Sequence, residues 1–384
     1  MTKSLDIGII LSTLAVIRGG LETSAVILTR GFAELGHRVT LVAGTLPGAK
    51  LPADLAELPA EWLLVPHLSM RAPLWHNLGL SPGTAFRLHA NSFNAACSLS
   101  PRVRRLMARA SATMTFLPRE TAHFAAWRRR KQLAHISYFP GGGRRWLARD
   151  QSTIRLVNPA VSIREKDVLA DFPAHGILSS GVPRHWLDEE YEVRRVPRAL
   201  LFAGRLESNK GVMELLRIFE TLARESASLE LRIVGDGPLR GAMNESARQK
   251  GIADRVSFLG AISQERVRTE MRRADLLIFP TRYENFPLTL LEASAVGLPF
   301  VASDIPGISG MLHGGAVLVP PESEAWVPEI RGLLADPVRR RLASDCGRRW
   351  AAHYPWDNVV ERAEQFVLRA IEIAGQTRVR RPLD

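Results

Sequence analysis

The chain has 384 residues, of which 46% are hydrophobic, 7% aromatic and 23% charged. Its length predicts two domains, and its composition is that of a globular protein, which excludes a disordered tail or a disulfide-stapled miniprotein. Cys97 and Cys346 lie far apart and no CxxC pair occurs, so the sequence carries neither a disulfide framework nor a cysteine-based zinc site.

The net charge of the chain is +12, and most of it belongs to one segment. Residues 101–149 hold 12 basic residues and one acidic residue, whereas residues 150–384 hold 32 of each. An excess of this size predicts an anionic partner, and its position predicts that the first half of the chain meets that partner.

No apolar run has the roughly 18 residues that a membrane-spanning helix needs. Residues 7–17 could pass for the core of a signal peptide. Strand and helix patterns follow at once without a cleavage site of small residues, so we predict a mature N-terminus and a cytoplasmic protein.

The first elements predict a βαβ unit. Residues 5–12 form a short apolar run, Gly19 and Gly20 make a turn, and apolar residues then recur every three or four positions until Gly36. Residues 38–43 form the next apolar run. A strand, a helix and a second strand in this order predict a parallel sheet.

A second α/β domain is predicted after residue 197. The charged stretch 186–197, next to Pro183, predicts a linker between domains 1–185 and 198–355. Strands are predicted at 199–203, 229–234, 256–259, 275–279, 299–302 and 316–319, and helices begin near 211, 238, 265 and 287. Helices near 323–334, 337–352 and 357–374 end the chain.

Arg205 and Lys210 lie in the loop that follows the first strand of this second domain. Ligands of doubly wound sheets bind beyond the carboxyl ends of the strands, and two cations beside a helix N-terminus suit a diphosphate. Only six lysines occur beside 45 arginines, so Lys210 is not explained by general basicity. The alternative is a pair of solvated loop charges.

Glu284 and Glu292 form an E-x7-E pattern in the loop and helix after a later strand, with Pro287 suited to the first helical turn. Two carboxylates at this edge can each accept hydrogen bonds from sugar hydroxyls. Helix capping by Glu284 and simple exposure of Glu292 are the alternatives. Together with Arg205 and Lys210, the pattern favours a ligand that contains phosphate and sugar.

Gly235-Asp236-Gly237 is a weak match to the dinucleotide fingerprint, because Arg240 occupies the place of its third glycine. The sequence contains no DxD, HExxH, GxSxG or GxxxxGK[ST] motif. These absences remove the common signatures of a diphosphate-bound metal, a zinc protease, a serine hydrolase and a P-loop.

Several segments together resemble glycosyltransferase family 4, namely GRLESNKG, VGDGPLR, FLGAIS, FPTRYENFPLTLLEASAVGLPFVASDIPGI and LLADPVRRRLASDCGRRWAAHYPWDNVVER. The N-terminal RGGLE, followed by LTRGFAELGHRVTLVAG, is similar to the start of the same family. The likeness is dense over residues 195–373, good over 5–45 and thin over 46–190.

The resemblance implies the α/β GT-B fold, in which two doubly wound Rossmann-like domains face each other across a cleft. Residues 1–185 would bind the acceptor, residues 198–355 would bind the sugar nucleotide, and residues 356–384 would form a helix returning to the first domain plus a basic tail. The implied activity is retaining transfer of a hexosyl group from a nucleotide-diphosphate sugar to a glycan or lipid-linked saccharide, in cell-surface polysaccharide or glycolipid synthesis. No metal or other cofactor is implied.

Matched by position, Arg205 and Lys210 correspond to the pair that holds the donor diphosphate, and Glu284 to the residue that contacts the transferred sugar. These three are the predicted catalytic residues, and Glu292 is the predicted ligand of the ribose hydroxyls. The other predicted donor-binding residues are Gly19, Gly20, Gly204, Asp236, Gly237, Ala261, Asn285, Phe286, Pro287 and Leu288.

The sequence departs from the family pattern at three places. Phe139 stands where many members carry a histidine, with His89 and a strand-like, structural His135 nearby. Asn285 stands where a glycine is common, and Gly310 where a glutamate is common. These changes bear on the donor sugar and on activity.

Arginines and apolar residues alternate at helical spacing in segment 101–149, which predicts a helix lying on an anionic membrane surface. A solvated basic face is the alternative. Nucleic-acid binding is not expected, because no accompanying motif supports it. A catalytically silent GT-B protein that serves as an interaction partner is the alternative function.

Overall fold

The computed structural model describes residues 4–14, 20–45, 51, 53–67, 82–130, 133–138, 153–157, 175–188, 191–312 and 316–380. The chain divides into two compact units. Unit 1 comprises Met1–Ser179 and Asp357–Asp384, and unit 2 comprises Ser180–Trp356.

Unit 1 is built on a parallel sheet, of which seven strands are described, in the order β3-β2-β1-β4-β5-β6-β7. The strands are β1 (Asp6–Leu11), β2 (Arg38–Thr45), β3 (Glu61–Pro66), β4 (Ala112–Thr115), β5 (Ala134–Tyr138), β6 (Thr153–Val157) and β7 (His175–Ile177). The helices between them are α1 (Gly20–Glu34), α2 (Ala53–Ala56), α3 (Pro82–Leu99), α4 (Pro101–Arg109) and α5 (Pro118–Arg130).

Unit 2 contains a second parallel sheet, with six described strands in the order β10-β9-β8-β11-β12-β13. They are β8 (Ala199–Ala203), β9 (Glu230–Val234), β10 (Val256–Gly260), β11 (Leu276–Phe279), β12 (Phe300–Ser303) and β13 (Val317–Val319). The helices are α6 (Arg184–Leu187), α7 (Val212–Glu225), α8 (Arg240–Gln249), α9 (Gln264–Arg273), α10 (Leu288–Ala295), α11 (Pro306–Ser309), α12 (Trp326–Ala335) and α13 (Pro337–Ala351).

The strand order reverses once in each sheet, between β1 and β4 in unit 1 and between β8 and β11 in unit 2. Successive crossovers leave this point on opposite faces of the sheet, so a crevice opens at the carboxyl ends of the two strands. The loops that follow β8 and β11 are therefore the first place to look for a ligand site in unit 2.

The division between the units lies earlier than the predicted linker, between Ser179 and Ser180. Within the predicted linker, Trp186 and Tyr191 are buried in unit 2, and the Tyr191 hydroxyl donates to the Ala274 carbonyl at 2.7 Å. Residues 186–197 therefore include core residues of unit 2, although their high charge suggests an exposed connection.

The basic helix α4 does not offer its apolar residues to a membrane, contrary to the prediction. Val103, Leu106 and Met107 pack into the core of unit 1, together with Phe124 of α5. The same turn spacing leaves Arg102, Arg104, Arg105 and Arg109 on the exposed side of α4. Helix α4 is amphipathic as predicted, but its apolar side packs against other residues of unit 1.

One arginine of the basic segment is also internal. Arg128 is fully buried and donates to the carbonyls of Met107, Ala110 and Ala134 at 2.9–3.1 Å. The guanidinium thereby satisfies carbonyls at the end of α4, which have no partner within the helix.

The last helix, α14 (Trp356–Arg380), packs on unit 1 from Asp357 onward. His37 contacts Glu364 at 3.0 Å, and a side chain at Gly31 would overlap Val360. Within the described residues, no helix combines the length and apolar character that crossing a membrane requires.

Candidate donor-binding site

The loops after β8 and β11 are joined through their backbones. The Arg282 amide donates to the Asn209 carbonyl at 2.8 Å, and the Thr281 hydroxyl donates to the same carbonyl at 3.1 Å. Gly211 has φ +65°, and a side chain there would overlap the Pro280 carbonyl. Only glycine combines this conformation with this close approach, so Gly211 both ends the first loop and seats it on the second.

Lys210 and Glu284 form an ion pair where the two loops meet. Their side chains are only 16% and 13% exposed, and the Lys210 ammonium also lies 6.0 Å from the ring centroid of Phe279. Arg205 is half exposed and pairs with Glu207 at 3.2 Å. Three of the predicted donor-binding side chains thus lie at the switch point of unit 2.

Burial raises the pKa of Glu284, and the nearby charges of Lys210 and Arg205 oppose that rise. Both predicted cations thus favour the ionised form of this carboxyl. A partly enclosed site with two cations and one carboxylate can bind a phosphate group and an adjoining hydroxylated group together.

Glu292 lies on α10 and is almost fully buried. Burial raises its pKa to about 7, and a hydrogen bond from Gln264 opposes the rise. The Gln264 amide lies 3.4 Å from Glu292 Oε1. Glu292 is therefore not the exposed surface carboxylate that one sequence interpretation allowed.

The loops after β8 and β9 also contact each other. The Leu206 amide donates to the Asp236 carbonyl at 3.0 Å, and a side chain at Gly237 would crowd the Leu206 backbone at 2.5 Å. The Asp236 carboxylate is held by its own loop, since it accepts from the Gly237 amide at 2.8 Å and from Arg240 at 3.1 Å. Gly204 begins the first loop, and Ala261 is exposed after β10.

The residues after Glu284 lead directly into α10. The Tyr283 hydroxyl donates to Asn285 at 2.9 Å, and the Phe286 ring lies 5.9 Å from the ring of Tyr354. Pro287 immediately precedes the helix, and its carbonyl accepts from the Leu290 amide at 3.0 Å. The helix begins at Leu288, one residue later than predicted.

Gly307 borders the candidate site, and the sequence interpretation did not identify it. It is the second residue of α11, and a side chain there would overlap the backbone carbonyl of Glu284. Gly310, the glycine that the sequence singled out, is exposed at the end of the same helix with an ordinary φ of −69°. The contact of Gly307 is with backbone, so no side-chain pattern could have revealed it.

Of the predicted residues in unit 1, Gly19 and Phe139 lie outside the described residues. Gly20 is the first residue of α1 and is exposed. His135 is buried in β5, where its ring contacts the hydroxyls of Thr113 and Thr115 at 2.8 and 3.1 Å.

A buried polar cluster lies at the switch point of unit 1. The Ser12 amide donates to Glu120 at 3.0 Å, and the Ser12 hydroxyl contacts His89 at 2.9 Å. His89 contacts His67 at 3.1 Å. Burial raises the pKa of Glu120 to about 8 and lowers that of His89 to about 4. In the part of the chain that the structure describes, no three His, Cys, Asp or Glu side chains converge as a metal site.

Two doubly wound units within one chain correspond to the GT-B fold. A solved structure of sucrose-phosphate synthase from Thermosynechococcus elongatus has the same fold, with a TM-score of 0.72 at 17% identity over 95% of this chain and 98% of that one. The predicted GT-B fold is confirmed.

Residues 188–350 match the family described as glycosyl transferases group 1. Glycogen synthase from Mycobacterium tuberculosis is 27% identical over 62% of this chain and 59% of that protein. Lipopolysaccharide 1,2-N-acetylglucosaminetransferase from Salmonella typhimurium is 29% identical over 48% and 51%. The chain thus spans about half to three fifths of these relatives, and the predicted glycosyltransferase resemblance is confirmed at the level of the family.

Proposed function

We propose that the chain is a retaining glycosyltransferase that moves a hexosyl group from a nucleotide-diphosphate sugar to a glycan or lipid-linked saccharide. The observation that carries the proposal is the Lys210–Glu284 pair beside Arg205, at the switch point of a unit that matches the family described as glycosyl transferases group 1. The cations suit the diphosphate of such a donor, and the carboxylate in contact with Lys210 suits the adjoining sugar.

In the proposed reaction, the bond between the anomeric carbon and the diphosphate oxygen breaks, leaving the electron pair on the diphosphate. Lys210 and Arg205 stabilise this developing negative charge, as preorganised cations do most effectively when they are shielded from water. The acceptor oxygen bonds to the anomeric carbon on the face that the diphosphate leaves, and its proton passes to a diphosphate oxygen.

Glu284 contacts hydroxyls of the transferred sugar, and Glu292 accepts from the ribose hydroxyls. We further propose that the reaction needs no metal ion, because Lys210 and Arg205 supply the positive charge at the diphosphate. Turnover in the presence of EDTA tests this point, and a loss restored by a divalent cation would contradict it.

A panel of UDP-, GDP- and ADP-sugars tests the function itself. One base is expected to raise the melting temperature of the chain, and slow hydrolysis of the matching sugar nucleotide is expected on incubation. Binding without hydrolysis or transfer would instead indicate a catalytically silent GT-B protein, and no binding in the whole panel would contradict both functions.

We propose that the acceptor is a precursor of cell-surface polysaccharide or glycolipid, reached by a cytoplasmic protein at the inner face of a membrane. The Salmonella relative, whose name assigns it to lipopolysaccharide, supports this choice of acceptor. The exposed Arg102, Arg104 and Arg105 support an electrostatic contact with anionic headgroups, without insertion of apolar residues.

Sedimentation with anionic and neutral vesicles tests the membrane contact. A triple change of Arg102, Arg104 and Arg105 to Glu is expected to abolish the preference for anionic vesicles. The same change at Arg217, Arg224 and Arg248, which are exposed arginines of unit 2, serves as the matched control. Equal binding of the unaltered chain to both vesicles would contradict the contact.

A further inference from the structure

Glu292 is the one charged residue of α10, and it lies in the interior of unit 2 with 9% of its surface exposed. Glu284 has Lys210 as an ion partner, whereas the side-chain donor to Glu292 within the described residues is the neutral amide of Gln264. At 3.4 Å this hydrogen bond is long. A buried carboxylate with one long hydrogen bond retains acceptor capacity that further donors would fill favourably.

Gln264 is held in place by the start of its own helix. It is the first residue of α9, and the preceding Ser263 caps this helix by accepting from the Arg266 amide at 3.4 Å. The short segment Ala261–Ser263 connects Gln264 to the carboxyl end of β10. The Gln264 amide therefore approaches Glu292 from the edge at which ligands of such sheets bind.

We propose that Gln264 is a positioning residue for the donor nucleotide, holding one oxygen of Glu292 so that the other accepts from the ribose hydroxyls. This inference rests on the proposed function, in which Glu292 binds the ribose. A neutral donor suits the task, because it orients the carboxylate without neutralising it as an arginine or lysine would. The hydrogen bond also opposes the rise in the pKa of Glu292 that burial causes, and so favours the acceptor-only ionised form.

The test measures binding of nucleoside diphosphates by the full chain, using the base selected by the sugar-nucleotide panel. The ribo, 2′-deoxy and 3′-deoxy forms are compared for the unaltered chain and for Gln264→Ala, Glu292→Ala and the double variant. Gln249→Ala is the matched control, because it removes an exposed glutamine that donates to Glu245 at 3.0 Å on α8.

Gln264→Ala is expected to weaken binding of the ribonucleotide about fivefold, the usual effect of losing one hydrogen bond. The loss is expected to shrink for the deoxy form that lacks the hydroxyl bound by Glu292, and to vanish when Glu292 is already alanine. In turnover assays the KM for the donor rises while kcat is retained. Gln249→Ala is expected to bind like the unaltered chain.

An unchanged affinity of Gln264→Ala for the ribonucleotide overturns the inference, as does an equal loss for the ribo and both deoxy forms. The deoxy comparison needs only the Gln264 variant, so it remains decisive if Glu292→Ala does not fold. Failure of the unaltered chain to bind any nucleoside diphosphate overturns the proposed function and this inference with it.

Discussion

The Lys210 ammonium is bound directly by the Glu284 carboxylate, so the groups proposed to meet the donor phosphate and the donor sugar touch each other. Lys210 comes from the loop after β8 and Glu284 from the loop after β11, two strands that are neighbours in the sheet. The two residues are 74 positions apart in sequence. Each side chain therefore helps to hold the other in position.

Replacing Lys210 with alanine is expected to lower kcat about 10²- to 10³-fold, because it removes a preorganised cation from the leaving diphosphate. Steady-state turnover and thermal unfolding should be measured together. Lys250→Ala is the control, since Lys250 pairs with Glu220 elsewhere in unit 2, at 2.5 Å. Near-normal turnover of Lys210→Ala in a folded chain would rule out the assigned role.

The coupling between Lys210 and Glu284 can be measured with a double-mutant cycle. Glu284→Gln removes the carboxylate charge, and we expect its effect on kcat/KM to overlap with that of Lys210→Ala, since each variant already breaks the pair. The double variant should lose less activity than the product of the two single losses. Strictly multiplicative losses would show that the two side chains act independently.

Gly307 is expected to tolerate no side chain without moving Glu284. In Gly307→Val the new atoms would displace the Glu284 backbone, so we expect turnover to fall at least about tenfold, as small misplacements of reacting groups do. Gly241→Ala is the matched control, because nothing lies within 4 Å of the added methyl group on α8. That change should raise stability by about 0.5–1 kcal/mol and leave turnover unaltered.

Glu120 is expected to make unit 1 less stable as the pH rises. Its pKa is raised from an ordinary 4.5 to about 8 in the folded chain, so its stabilising contribution is complete below pH 4.5 and is lost as the pH approaches 8. Glu120→Gln should remove this loss, which is on the order of 5 kcal/mol for a pKa raised from 4.5 to about 8. Urea unfolding of both chains at pH 5 and pH 8.5 measures it, and parallel pH profiles would contradict the assignment.

The elements of unit 2 could be predicted closely because their signals are local. β8 has the predicted bounds, Ala199–Ala203, and α7 begins at Val212 because Gly211 ends the preceding loop. β11 begins at Leu276, one residue later than predicted, and the residue before it has a separate role. The Asp275 carboxylate accepts from the Arg198 and Ala199 amides at 2.8 and 2.9 Å, so this residue fixes the start of β8 from outside the strand.

The strands of unit 1 are harder to predict from the sequence, because buried polar side chains form hydrogen bonds with one another inside this unit. β4 reads Ala-Thr-Met-Thr, and its two threonines are buried against His135 of β5. Such strands lack a continuous apolar run, which is the main local signal for a buried parallel strand. Arg128 is hidden in the same way, because its partners are carbonyls from distant turns.

The common position of the proposed donor-site side chains at one sheet edge could be predicted from the sequence, but their mutual contacts could not. Arg205, Lys210, Glu284 and Glu292 all lie at the predicted sheet edge. The proposed role of Gly307 depends on the Glu284 carbonyl, and that of Gln264 on the buried Glu292 Oε1. Contacts of this kind produce no regular spacing in the sequence.

The loops after β8 and β11 are joined by backbone atoms, because the Arg282 amide donates to the Asn209 carbonyl. The close approach of Gly211 to the Pro280 carbonyl also depends on the backbone, since glycine has no side chain. Asn285 lies outside this joint, so we expect that its side chain can be exchanged without moving the backbone beside Lys210. A backbone joint of this kind keeps its geometry when neighbouring side chains change. In the proposed transferase, a new preference among donor sugars could arise by single substitutions that leave Lys210 and Glu284 in place.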